Sequence, residues 1–119
     1  MKRIVWMGRS RFDLKEFPDR VQRAVGHAFW GGQQGEVPVS SKILKGFGNA
    51  KVWEIRENDS SGIYRIVYTV EFKDLVAVLH VFQKKSKSGI ATPKYEIELI
   101  KQRLADAKAL HKQFQGSNR

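Results

Sequence analysis

The sequence predicts an α+β domain in which a curved, mostly antiparallel sheet carries its helices on one face. Three observations lead there: consecutive strand-like runs between Val52 and Gln83, an apolar helical spacing between Asp13 and Gly31, and a second such spacing after Thr92-Pro93. Strands grouped together and bracketed by helices favour α+β over a doubly wound parallel sheet. A chain of 119 residues fits one core, so a single domain over 1–119 is expected. With 41% hydrophobic and 29% charged residues it has enough apolar material to fold.

The first element is a strand over Ile4 to Met7, a short apolar run closed by Gly8. From Asp13 the pattern turns helical: Pro18 suits a first turn, Asp19 complements the amino end, and Val21, Ala24, Val25 and Ala28 recur at helical spacing. Gly31-Gly32 should stop that helix. Gln33 to Gly48, rich in glycine, proline and serine, reads as a long connection with a short turn of helix around Ser41 to Leu44. Val52 to Glu57 is the next strand, Asn58 to Gly62 a turn, and Ile63 to Phe72 a strand rich in β-branched and aromatic residues. Lys73-Asp74 then turns the chain into Leu75 to Gln83, completing a three-stranded meander beside the first strand. Thr92 caps a last helix with Pro93 at its first position, and Ile97, Ile100, Leu104, Ala107 and Leu110 share one face. Gln115 to Arg119 should fray. The uncovered sheet face is the expected place for function.

Charge narrows the function. A net charge of +10 attracts phosphate backbones or acidic proteins at long range. Binding to a membrane surface would need a helix with one basic face and exposed aromatics, which neither helical segment presents. The absence of cysteine excludes disulfides, thiolate zinc sites and cysteine nucleophiles. His27, His80 and His111 lack metal-ligand spacing, so neither metal nor cofactor is expected. No run has the length of a signal peptide core or a membrane span, which points to the cytoplasm. Walker, dinucleotide and nucleophile-elbow motifs are absent, and Gly46-Phe47-Gly48 is too short to cradle a phosphate. Trp6, Trp30 and Trp53 read as core or interface residues.

Strand alternation sets Tyr64, Ile66, Tyr68 and Val70 on one side and Ile63, Arg65, Val67 and Thr69 on the other. Arg65 is the anomaly: in an apolar strand it requires a carboxylate, such as Glu54 or Glu71, or an anionic ligand. The same alternation aligns Val76, Val78, His80, Phe82 and Lys84, leading into the basic tip Lys84-Lys85-Ser86-Lys87. Lysine charge beside an aromatic ring is a common way to hold single-stranded RNA. The plainer reading makes Phe82 core, His80 a packed histidine and the lysines a solvated loop. Cleaving RNA requires a proton removed from the 2′-hydroxyl, charge to stabilise the phosphorane and a proton for the leaving 5′-oxygen. Arginine and lysine meet the charge requirement without metal, and clustered like charges depress a lysine pKa towards base catalysis. Tyr64, Tyr68, Tyr95 and His80 are further proton-transfer candidates.

Gly62-Ile63-Tyr64-Arg65-Ile66-Val67-Tyr68, then Leu79 to Lys87, then Thr92-Pro93 with Glu96, resemble the phage-derived, HigB-type branch of the RelE/ParE toxin superfamily over Val52 to Leu104. The resemblance implies a RelE-like fold and a toxin of a type II toxin-antitoxin system. Such a toxin cuts messenger RNA, commonly on the ribosome, until a HigA-type helix-turn-helix antitoxin binds it. It also implies Arg65 and Lys84 as charge stabilisers, with Lys85, Lys87, Arg56 and Phe82 as RNA contacts. Two other outcomes share the fold: a ParE-like inhibitor of a protein target such as DNA gyrase, and an inactive RNA-binding module.

Overall fold

The computed structural model describes residues 1–38, 41–84 and 93–117, with the backbone alone at 84, 116 and 117. Five strands, β1 (Arg3–Trp6), β2 (Lys42–Ile43), β3 (Trp53–Asp59), β4 (Gly62–Thr69) and β5 (Leu75–Lys84), form one sheet in the order β1-β5-β4-β3-β2. β1 runs parallel to β5 and the other pairings are antiparallel, which gives the mixed α+β sheet that the sequence predicts. The helices are α1 (Ser10–Lys15), α2 (Asp19–Gln33) and α3 (Lys94–Ser117).

The amino-terminal helical segment is two helices rather than one. Pro18 disfavours helical geometry at Phe17, so the chain breaks there, and Pro18 itself, with ψ of 146°, stands before α2. Gln22 holds the corner by donating from Nε2 to the carbonyls of Lys15 and Phe17, at 3.2 and 2.8 Å. Gly31-Gly32 does not end α2, which runs to Gln33 because both glycines keep helical geometry. Gly32 is buried, and a Cβ there would lie 3.3 Å from Val70 Cγ1.

The turn of helix expected around Ser41 to Leu44 is instead the short strand β2, paired with Trp53 and Glu54. Leu44 extends that ladder by donating to the Val52 carbonyl at 2.7 Å. α3 also continues to Ser117, past the expected frayed end. The cap expected at Thr92 lies outside the described residues.

The main correction concerns the sheet faces, both of which are covered. On one face Val21, Val25 and Phe29 of α2 and Leu14 of α1 pack against Ile55, Tyr64, Ile66, Tyr68, Val76, Val78 and Val81. On the other, Ile100, Leu104 and Ala107 of α3 pack against Val67, Leu75, Ala77 and Leu79. The cause is legible in β5: its run of apolar residues is apolar on both faces, as in strands covered on both sides. Helices restricted to one face would have left Val67, Ala77 and Leu79 in water. Trp6 and Trp53 pack at the margin of the first cluster, as expected, whereas Trp30 is 59% exposed.

Candidate functional site

The ladder between β4 and β5 carries a bulge that decides which side chains meet. Val67 pairs with His80, but Tyr68 pairs with Val78, so Leu79 is an extra residue on β5. A bulge shifts the alternation by one. Val76 and Val78 therefore face α2, whereas His80 and Phe82 lie on the α3 face, opposite Val67 and Arg65. The single row expected from Val76 through Lys84 does not exist; His80 and Phe82 join Arg65 instead. Lys84 pairs with Ile63 at the end of β5. Lys85 and Lys87 lie outside the described residues.

Three charged side chains gather on this face at β3 and β4. Arg56 and Arg65 are cross-strand partners, and two like charges directly opposite would repel. Glu54 resolves that conflict. Its Oε1 accepts from Arg56 Nε at 2.7 Å and its Oε2 lies 3.7 Å from Arg65 Nη1, so each oxygen serves one guanidinium. Of the two carboxylates expected for Arg65, Glu54 is therefore the one in place. Arg65 is 0% exposed, and desolvation holds its pKa below the ordinary guanidinium value, opposed by Glu54 and reinforced by Arg56. Arg56 is exposed at the surface.

Beside this cluster stands a second network that joins β5 to α3. Glu96 accepts from His80 Nε2, while Arg103 Nη1 donates to His80 Nδ1 at 3.1 Å and to the Leu79 carbonyl at 3.0 Å. A ring that donates through Nε2 and accepts at Nδ1 is the neutral imidazole. Burial pushes the His80 pKa below 6.5, with Arg103 in the same direction and Glu96 opposing. The Phe82 ring stacks on His80 at 4.9 Å between centroids and 18° between planes. Both ring nitrogens are engaged, so in this arrangement His80 is a link between sheet and helix. The bulge supplies the free Leu79 carbonyl that Arg103 grips. Arg103 also lies against Gly8, whose φ of 56° and missing Cβ make room for the guanidinium.

The sequence reading singled out Arg65, Arg56, Phe82 and His80 but missed Glu54 as the shared carboxylate and Arg103 altogether. A signal for Arg103 existed. Glu96, Ile100, Arg103 and Ala107 follow i, i+4, i+7 and i+11 spacing, which places a carboxylate and a guanidinium on the buried stripe of α3.

Because folded His80 binds its proton more weakly than the unfolded chain does, the sign of the pH effect is fixed. Above its unfolded pKa of 6.5 both states are neutral and the contribution is complete. As pH falls below that value the unfolded chain gains the proton first, so stability is lost until pH passes the folded pKa. The expected slope is up to about 1.4 kcal/mol per pH unit. Urea titrations across this window should show it, and His80→Gln should flatten it. An unchanged slope in that variant would assign the acid sensitivity to other groups.

Among the described residues, no helix is long and apolar enough to cross a membrane, and no three His, Cys, Asp or Glu side chains are grouped to hold a metal. Fold and site thus define a small, basic α+β domain with two charged networks on the α3 side of its sheet. The chain belongs to the phage-derived Gp49-like family, a RelE/HigB-like toxin family: the model described as "Phage derived protein Gp49-like (DUF891)" matches residues 12–105. No curated protein matches the chain.

Proposed function

We propose that this protein is the toxin of a type II toxin-antitoxin system and a metal-independent endonuclease that cuts messenger RNA on the ribosome. The observation that carries this reading is the meeting of Arg56, Arg65 and Phe82 on one sheet face, at the end of the strand that leads into Lys84, Lys85 and Lys87. Family membership and the net charge of +10 support it. In the reaction the 2′-oxygen attacks the adjacent phosphorus and the bond to the 5′-oxygen breaks. A base takes the 2′-proton, and an acid protonates the leaving oxygen. Arg65 and Lys84 are assigned to the charge on the phosphorane, and Arg56, Phe82, Lys85 and Lys87 to holding the RNA. Arg56 already reaches the surface. Arg65, its neighbour on β4, is buried, so on this reading phosphate reaches Arg65 only once that burial is relieved. A HigA-type helix-turn-helix antitoxin is the proposed partner that silences the toxin, and the cytoplasm is its proposed compartment.

The test adds purified protein to a translating extract with a defined messenger and maps new 5′ ends by primer extension, then repeats the assay on free RNA. New ends with ribosomes present are expected. Intact RNA in both settings would overturn the nuclease reading. The burial of Arg65 favours a second reading, a ParE-like inhibitor of a protein target such as DNA gyrase, which induced DNA breaks with intact messenger would support.

A further inference from the structure

We infer that the free edge of β1 is a docking edge for an acidic, extended segment of a partner protein, which joins the sheet as a sixth strand. β1 is an end strand of the sheet. In its parallel ladder, Arg3 donates to the Asp74 carbonyl at 3.0 Å and Met7 to the Val78 carbonyl at 2.9 Å, so odd-numbered backbone groups face β5. Even-numbered groups face outward. At Lys2 both are taken, since its N–H donates to the Gln33 carbonyl at 3.0 Å and Gln33 Nε2 donates to its carbonyl at 2.9 Å. At Ile4 and Trp6, no described residue meets them. Each carries a donor and an acceptor in the pattern that another peptide strand satisfies and a nucleic acid does not.

The surfaces on either side suit alternating side chains. On one side an open hollow of about 660 Å³ is lined by Ile4, Trp6, Arg9, Arg11, Phe12 and Lys15. Phe12 is 58% exposed there, an apolar anchor on a basic rim. On the other side, a cleft of about 110 Å³ is lined by Val5, Leu75, Leu110 and Phe114 together with Arg3, which lies over the Phe114 ring, and Asp74; Leu110 is 38% exposed. A strand laid against β1 would send successive side chains into these two places.

Charge selects the occupant. Arg9 lies 3.9 Å from Asp13 and over the Phe12 ring, whereas among the described residues Arg11 and Lys15 form no ion pair, with Glu16 the nearest acid in sequence to Lys15. A second copy paired edge to edge would bring both sets of cations together between two chains of +10, so the cations guard against self-pairing. The same charges attract a segment in which acidic residues alternate with apolar ones.

The test selects peptides of about ten residues, the upper length of a strand, from a random display library against the full-length chain. Sequences alternating acidic and apolar residues should be enriched, and the best should shift the amide resonances of Ile4 and Trp6. Arg11→Glu with Lys15→Glu, both exposed, should weaken that peptide at least about tenfold, or 1.4 kcal/mol, with an unchanged circular dichroism spectrum. No enrichment, neutral or basic winners, or shifts confined to another surface would overturn the assignment. So would concentration-dependent shifts of Ile4 and Trp6 in the protein alone, which would mark a homodimer edge. The assay contains no RNA, so its outcome is separate from the nuclease reading.

Discussion

Glu54→Leu is expected to destabilise the fold by about 3–5 kcal/mol, and the double variant Glu54→Leu with Arg65→Met to recover most of that loss. Glu54 is buried between two guanidiniums that are cross-strand neighbours, Arg56 and Arg65. Removing the carboxylate leaves two positive charges opposed across the ladder, one of them fully buried and unable to turn to water. Removing the buried cation as well replaces a charged arrangement with apolar packing beside Val67, which is often neutral or better than the ion pair it replaces. Urea unfolding of the wild type, both single variants and the double variant gives the coupling directly. Additive losses would mean that Glu54 supports the fold independently of Arg65. A small domain holds only about 5–15 kcal/mol in total, so the single variant should also lose much of its folded population on mild heating.

How much of this was legible in the sequence depends on which interactions are local. The meander was readable because β-branched runs and the Asn58 to Gly62 turn act over neighbouring residues, and the register follows from the hairpin. That Arg65 would need a carboxylate followed from its place in an apolar strand, and Glu54 was one of two candidates within a few residues of a ladder position. The bulge at Leu79 was not readable. Nothing in Val78-Leu79-His80-Val81 marks an extra residue, because every position there is compatible with burial on either face. That single residue moved His80 and Phe82 to the other face, and with it the link to Glu96 and Arg103. The second covered face was hidden for a related reason: period-two alternation shows which residues share a face, but the wholly apolar pattern of β5 had to be read as two buried faces rather than one. β2 escaped because two residues carry almost no pattern, and it is defined by pairing with Trp53 and Glu54.

Under the proposed nuclease reading, Arg65→Lys is expected to lower the rate of messenger cleavage by about 10²–10³-fold, the usual effect of removing one donor aimed at developing charge. The substitution is chosen because lysine keeps the positive charge that Glu54 requires, so urea unfolding should detect a far smaller loss than the one expected for Glu54→Leu. What lysine cannot supply is the planar fork. A guanidinium can hold the Glu54 carboxylate with one nitrogen and offer others to a phosphate oxygen, whereas a single ammonium on a shorter reach must choose between them. Arg56→Lys provides the comparison. Arg56 is exposed and shares the same carboxylate, so if its role is to hold RNA, its variant should weaken binding and leave the rate at saturating substrate nearly intact. Equal losses in the two variants would mean that both guanidiniums act as one unit through Glu54. Full activity in Arg65→Lys would leave Arg65 as a buried structural cation and move the phosphate-stabilising charge to Arg56 and the lysines that follow β5.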